Sequence, residues 1–120
     1  MAIQTFRDLI AWQKAKDLAK QIYAASATMP DTERFGLIAQ MRRAAVSVAA
    51  NIAEGYGRQS LPDYIRFLRI SRGSLMELQT HMIIAEELRL LRIPVALSKL
   101  SAETDRVLQA LIRSLEKHNK

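Results

Sequence analysis

RRAAVSVAANIAEGYGR, residues 42–58, is rich in helix formers and small apolar residues, yet it carries a serine, an asparagine and a glutamate in its middle. At about 100° per residue from Leu37, the polar residues Gln40, Arg43, Ser47, Asn51 and Glu54 fall in one wedge of roughly 80°. Apart from Arg42, nearly all of the remaining circumference is Leu, Ile, Met, Val, Ala or Gly. A helix facing only its own core needs an apolar stripe little more than about 100° wide. This segment therefore predicts a helix covered on several sides, with a polar wedge that must find partners inside the covered region.

The punctuation around it cuts the chain into four helical segments, about 7–28, 32–55, 61–88 and 94–117. TMPDTE separates the first two, with Asp31 or Thr32 as the expected N-cap. Gly55 is the expected stop of the second, and Ser60, Pro62 and Asp63 form the start signal of the third. Pro94 opens the fourth, where Leu97, Leu100, Thr104, Val107, Leu108, Leu111 and Leu115 recur at spacings of three and four. No stretch alternates polar and apolar as a half-buried strand does. Four helices joined by short connections predict one all-α domain over residues 1–120, an antiparallel up-down-up-down four-helix bundle.

Other faces carry surplus apolar residues too. Trp12, Ala15, Leu18, Ala19, Ile22 and Tyr23 make the stripe of the first segment, and Phe6, Leu9 and Ile10 point away from it. The core face of the third runs through Tyr64, Phe67, Leu68, Ser71, Leu75, Leu78, Met82 and Ala85, beside a second, weaker line of Ile65, Met76 and Ile83. A soluble monomer seldom exposes that much contiguous apolar surface, so self-association in a closed symmetric form is expected. An unpaired polar group buried there costs about 1–3 kcal/mol. The expected solution is a polar network of Arg43, Ser47, Asn51 and Glu54 with donors from the third helix, including Ser71 and Ser74, that fixes register and partner choice.

Lys and Arg number 18 against 12 Asp and Glu, a net charge of +6, which favours anionic partners. The quarter from 42 to 72 holds six arginines and two acids, +4 of that total. Arg42, Arg58, Arg66, Arg69 and Arg72 are the candidate contacts to RNA or other nucleic acid. The competing reading is a protein-partner adaptor in which these arginines pair with acids or face solvent. No helix-turn-helix, zinc-finger or RNA-binding sheet signature accompanies them, and Trp12, Tyr23, Tyr64 and Phe67 are expected in the core rather than as stacking platforms.

Enzyme chemistry finds no support. Cysteine is absent, so neither disulfides nor thiolate metal sites arise. His81 stands four residues after Glu77, but no Glu-x-x-His pair of a di-iron bundle is present, and His81 reads as a rim histidine. Ser47 has no histidine at helical spacing to activate it. No catalytic residue, cofactor or metal is expected. With neither an apolar leader nor a run of about 20 apolar residues, the expected location is cytoplasmic, away from the membrane.

FRDLIAWQKAKDLAKQIY, PDTERFGLIAQMRRAAVSVAANIAEGYGR and SLPDYIRFLRISRGSLMELQTHMIIAEEL, taken in order, resemble the four-helix bundle family encoded in the intervening sequence of 23S ribosomal RNA genes. The most specific matches are Gln40, Arg42 and Arg43, the run from Ser47 to Gly55, Gly73 with Ser74, and Glu77 with Leu78. The resemblance spans roughly residues 6–115. It implies an antiparallel bundle assembled as a homopentamer, and a likeness to the basic accessory proteins of diversity-generating retroelements. Where the family pattern places a glycine and an aromatic after the third helix, this chain has Arg89-Leu90-Leu91.

Overall fold

The computed structural model describes residues 2–118. Four helices carry the fold: α1 (Ile10–Ser26), α2 (Leu37–Tyr56), α3 (Leu61–Glu87) and α4 (Val95–Lys117), with single 3₁₀ turns at Phe6–Asp8 and Asp31–Glu33. No strand occurs among the described residues. The bundle measures 48 × 24 × 21 Å.

The local signals explain where each helix starts and stops. Thr5 Oγ1 accepts from Arg7 N at 3.0 Å, and the Asp8 carboxylate accepts from Gln4 N and Thr5 N at 2.9 and 3.1 Å. This closes the first 3₁₀ turn and delays α1 to Ile10. Leu9 is buried, Phe6 packs edge-on against Trp12 with ring centroids 5.1 Å apart, and Ile10 stays exposed. Residues 31–33 form their own turn instead of capping α2, which begins five residues later than expected. The cap is the carboxylate of Glu33, which accepts from Leu37 N at 3.2 Å.

Gly55 is not the stop expected of it. It is buried inside α2, and the helix closes at Gly57, whose N–H donates to the carbonyls of Ala53 and Glu54 at 3.2 Å. A Cβ at Gly55 would stand 2.8 Å from Phe67 Cβ and 3.1 Å from the Tyr64 carbonyl oxygen. The glycine lets α2 and α3 approach where they join. Ser60 Oγ accepts from Asp63 N at 3.2 Å to start α3. At its end Arg89 adopts φ 59°. Leu90 N donates to Ala85 O at 2.9 Å and Arg89 N to Glu86 O at 3.0 Å, a Schellman closure made by an arginine in a glycine's conformation.

Each helix packs on two neighbours: α2 on α1 and α3, and α4 on α3 and α1, while the backbones of the diagonal pairs stay more than 8 Å apart, Cα to Cα. Leu18, Ile22, Met41, Val48, Ile52, Leu68, Leu75, Leu78, Leu97 and Leu108 are fully buried along the axis. Burying such a side chain contributes about 1.5–3 kcal/mol. Four polar side chains share the core, and each has a partner. Ser71 Oγ donates to Val48 O at 2.7 Å, Thr104 Oγ1 to Leu100 O at 2.7 Å, Gln79 Nε2 to Ser101 Oγ at 2.9 Å and Arg42 Nε to Ser26 Oγ at 2.9 Å. No buried side-chain polar atom among the described residues lacks a partner.

Two expected faces differ from those observed. The buried edge of α1 runs through Ala11, Ala15, Leu18, Ile22 and Ser26, so Trp12 is half-buried and Tyr23, expected in the core, is 47% exposed. On α3, Ile65 belongs to the core, whereas Ile83 of the same expected second line is 57% exposed.

Candidate nucleic-acid interface

The polar wedge of α2 splits in the structure. Ser47 Oγ and Ser74 Oγ meet at 2.9 Å across the α2–α3 seam, and Asn51 Nδ2 donates to both the Ser47 hydroxyl and the Ser47 carbonyl at 2.9 Å. All three residues are half-buried. Ser71 is fully buried one turn earlier on α3 and serves the Val48 carbonyl instead. Arg43 and Glu54 do not join them: Arg43 is exposed, and Glu54 accepts from Arg58 Nη2 at 3.0 Å on the outer surface. At the edge of the wedge, their longer side chains extend past the seam to water, where a charge is not desolvated.

The five candidate arginines are all engaged within the chain. Arg42 donates to Ser26 Oγ and, at 3.3 Å, to the Tyr23 carbonyl, and its guanidinium lies 4.6 Å over the Tyr23 ring. It latches α2 onto the end of α1, and this contact holds the exposed Tyr23 in place. Arg58 pairs with Glu54 at 3.0 Å and reaches Asp63 at 3.9 Å, while Arg66 pairs with Asp63 at 3.0 Å. These two guanidiniums stand 4.5 and 4.6 Å from the Phe67 ring. Arg72 donates to Asp105 on α4 at 2.8 Å, and Arg69 pairs with Glu116 on the same helix.

The acids of α4 are thus used by its neighbours. Asp105 and Glu116 face α3, and Glu103 pairs with Lys14 of α1. The hydrogen bond and charge of Lys14 hold the Glu103 carboxyl below the usual carboxylate range, with a smaller pull from Arg106. All four cations of α4 are exposed and have no ion-pair partner among the described residues; Lys117 ends the helix, and Lys99, Arg106 and Arg113 run along it. Sequence reasoning passed over them because α4 mixes acids with bases; their spacing of seven residues was the available signal.

Two grooves flank these elements. One of about 490 Å³ runs between α3 and α4, with Arg69, Arg72, Gly73 and Arg113 along its walls and open space above Gly73. The other, about 610 Å³ and largely apolar, lies between α1 and α2 against Trp12, Ala19, Tyr23, Val46, Ala49 and Ala50. Here α2 contributes exposed Val46 with Ala49 and Ala50, and Lys16 and Lys20 of α1 border the same groove. His81 Nε2 lies 3.2 Å from Glu77 Oε2, and no group of three or more metal-binding side chains converges among the described residues. No described helix is long and apolar enough to cross a membrane.

Comparison with curated proteins finds no match. The family model described as 23S rRNA-intervening sequence protein matches residues 7–113, all four helices except the last turn of α4. On that match, the chain belongs to the 23S rRNA-intervening sequence protein family.

Proposed function

We propose that this protein is a non-enzymatic, homo-oligomeric scaffold, a pentamer of antiparallel four-helix bundles, that binds RNA or other nucleic acid through basic surface. The observation that carries the reading is the apolar groove between α1 and α2, in a chain of net charge +6. Val46 and Tyr23 are exposed beside a face of alanines, and a second copy laid there buries what water otherwise meets. The up-down-up-down order is supported by cross-helix pairs that run in opposite directions. Ser47 pairs with Ser74 and Tyr56 with Tyr64, and Arg72 pairs with Asp105 while Gln79 pairs with Ser101. The family name points to ribosomal RNA as the polymer to try first, in a cytoplasmic setting.

Light scattering behind a sizing column, at low and high salt and with and without RNA, tests both clauses. A particle of pentamer mass that gains RNA only at low salt is expected. A monomer at every concentration overturns the scaffold, and a pentamer that never gains RNA overturns the nucleic-acid clause.

An adaptor for a protein partner is the second reading, favoured by Ile83 and Val95, which are exposed along a groove of about 470 Å³ between α3 and α4. If Ile83→Asp and Val95→Asp leave the particle mass unchanged, this patch is free for such a partner. A drop to monomer assigns it to self-association.

A further inference from the structure

We infer that the outward face of α4 is a docking strip for the sugar-phosphate backbone of a nucleic-acid duplex, with Lys99, Arg106 and Arg113 as its phosphate contacts. This assignment rests on the protein being a nucleic-acid binder and moves the contact site away from the arginine-rich quarter. At about 100° per residue the three side chains fall within roughly 40° of one another, opposite the buried Leu97, Leu108 and Ile112. Successive members are seven residues apart, about 10.5 Å along the helix. All three are exposed.

The strip is basic because the bundle sorts the charges of α4. Asp105 and Glu116 lie on the flank facing α3 and are held by Arg72 and Arg69, and Glu103 lies on the flank facing α1 and is held by Lys14. Each acid is drawn toward a neighbouring helix, with Glu103 and Glu116 still partly exposed; only Glu103 lies close to the ridge, where it also feels Arg106, and the outward ridge is left with an excess of positive charge. By contrast, Arg58 and Arg66 are matched by Glu54 and Asp63, so their local field largely cancels. Arg69 and Arg72 border the α3–α4 groove beside Arg113 but are committed to carboxylates.

The chemistry of the strip selects among polyanions. A membrane-bound basic helix must insert its apolar face, and that face of α4 is buried in the core. A protein interface needs aromatic or aliphatic anchors at its centre; exposed Val95 stands only at the N-terminal end of the strip beside Lys99, and the outward residues between the three cations, Ala102 and Ala110 among them, include no large apolar side chain. A single-stranded nucleic acid is gripped by stacking its bases on aromatic rings, and α4 has no aromatic residue. Spaced point charges without anchors or stacking platforms fit the regular backbone of a duplex, read without sequence preference. Because α4 lies diagonally across the bundle from α2, with no Cα of one within 8 Å of the other, self-association through α2 leaves the strip free.

The test is fluorescence anisotropy of a labelled RNA duplex of about 20 base pairs, titrated with the full chain over a range of salt concentrations. The triple variant Lys99→Gln, Arg106→Gln, Arg113→Gln is compared with the wild type and with Arg58→Gln, Arg66→Gln. Each phosphate contact contributes about 0.9 to the slope of log K against log salt, so the triple variant is expected to lose roughly 2.7. The control pair is expected to lose less than half as much, and a single strand of equal length to bind more weakly than the duplex. A triple variant with the wild-type slope overturns the α4 assignment and leaves the nucleic-acid reading intact. Equal or tighter binding of the single strand overturns the duplex as ligand. A wild type that binds neither at low salt overturns the assignment and the reading together.

Discussion

Ser47 Oγ lies 2.9 Å from Ser74 Oγ across the α2–α3 seam, and the amide of Asn51 donates into the same Ser47 oxygen at 2.9 Å. The pair joins α2 to α3 by a side-chain hydrogen bond, as does Ser71 Oγ with the Val48 carbonyl, and it sits half-buried between the two helices that contact each other most extensively. Ser47→Ala removes one of the two acceptors of Asn51 and the partner of Ser74, and should lower stability by about 1 kcal/mol in a thermal or urea melt. Asn51→Leu should broaden the mass distribution of the assembled particle, because a polar group at a packed seam selects register. A uniform particle of unchanged mass refutes that role for Asn51.

The glycines of α2 and α3 should respond in opposite directions. Gly55→Ala forces its new methyl against Phe67 Cβ, 2.8 Å away, and the Tyr64 carbonyl, so α2 and α3 must part. Overpacking of this kind costs about 1–3 kcal/mol. At Gly73 a Cβ meets nothing within 4 Å, and Gly73→Ala should raise stability by up to about 1 kcal/mol through helix propensity alone. Melting temperatures of the two variants decide the matter; a destabilised Gly73→Ala would mean that something packs on that exposed backbone in the assembled protein.

Arg89→Gly should stabilise the chain. The arginine holds φ 59° to complete the turn after α3, and a non-glycine residue there gives up about 1 kcal/mol or more. Relief of that strain exceeds the extra backbone freedom that glycine brings to the unfolded chain, so the midpoint in urea should rise. An unchanged or lower midpoint would show that the Arg89 side chain makes a compensating contact.

Burial pushes the Tyr64 phenol up to about 12, with the neighbouring Tyr56 adding to the shift. In the unfolded chain the phenol ionises near pH 10. Between these values the folded state holds a proton that the unfolded state has lost, so this contribution to stability is complete below about pH 10 and declines as pH rises through about 12. Absorbance of the phenolate should show Tyr64 ionising late. Tyr64→Phe should flatten the alkaline loss of stability, and an equally steep loss would place its cause elsewhere.

The structure bears out a four-helix, all-α fold, and the helical segments follow from the chain by inspection because apolar spacing is a property of each helix on its own. Ser60 and Pro62 mark the start of α3 to the residue. Asp31 misled because a residue able to cap a helix can also open a separate 3₁₀ turn, and only the position of Glu33 against Leu37 N shows which occurred. Tyr23 misled for a related reason: a large ring at the edge of a stripe can be covered by the core or by a neighbouring guanidinium, here that of Arg42. Gly55 read as a stop because a glycine late in a helix serves chain termination or close approach equally well.

Local sequence determined the four helical segments and the excess of positive charge, since each depends on residues a few positions apart, whereas packing settled the edges of the apolar faces, exposing Tyr23 and Ile83 and burying Ile65. Tertiary structure decided which charges cancel. Arg69 and Arg72 find Glu116 and Asp105 more than thirty positions away, and an ion pair depends on the distance between side chains rather than on their order along the chain. That pairing leaves five of the six arginines of residues 42–72 engaged, Arg43 being the exception, and the scattered cations of α4 without ion pairs among the described residues, because only packing brings the acids of one helix to the bases of another.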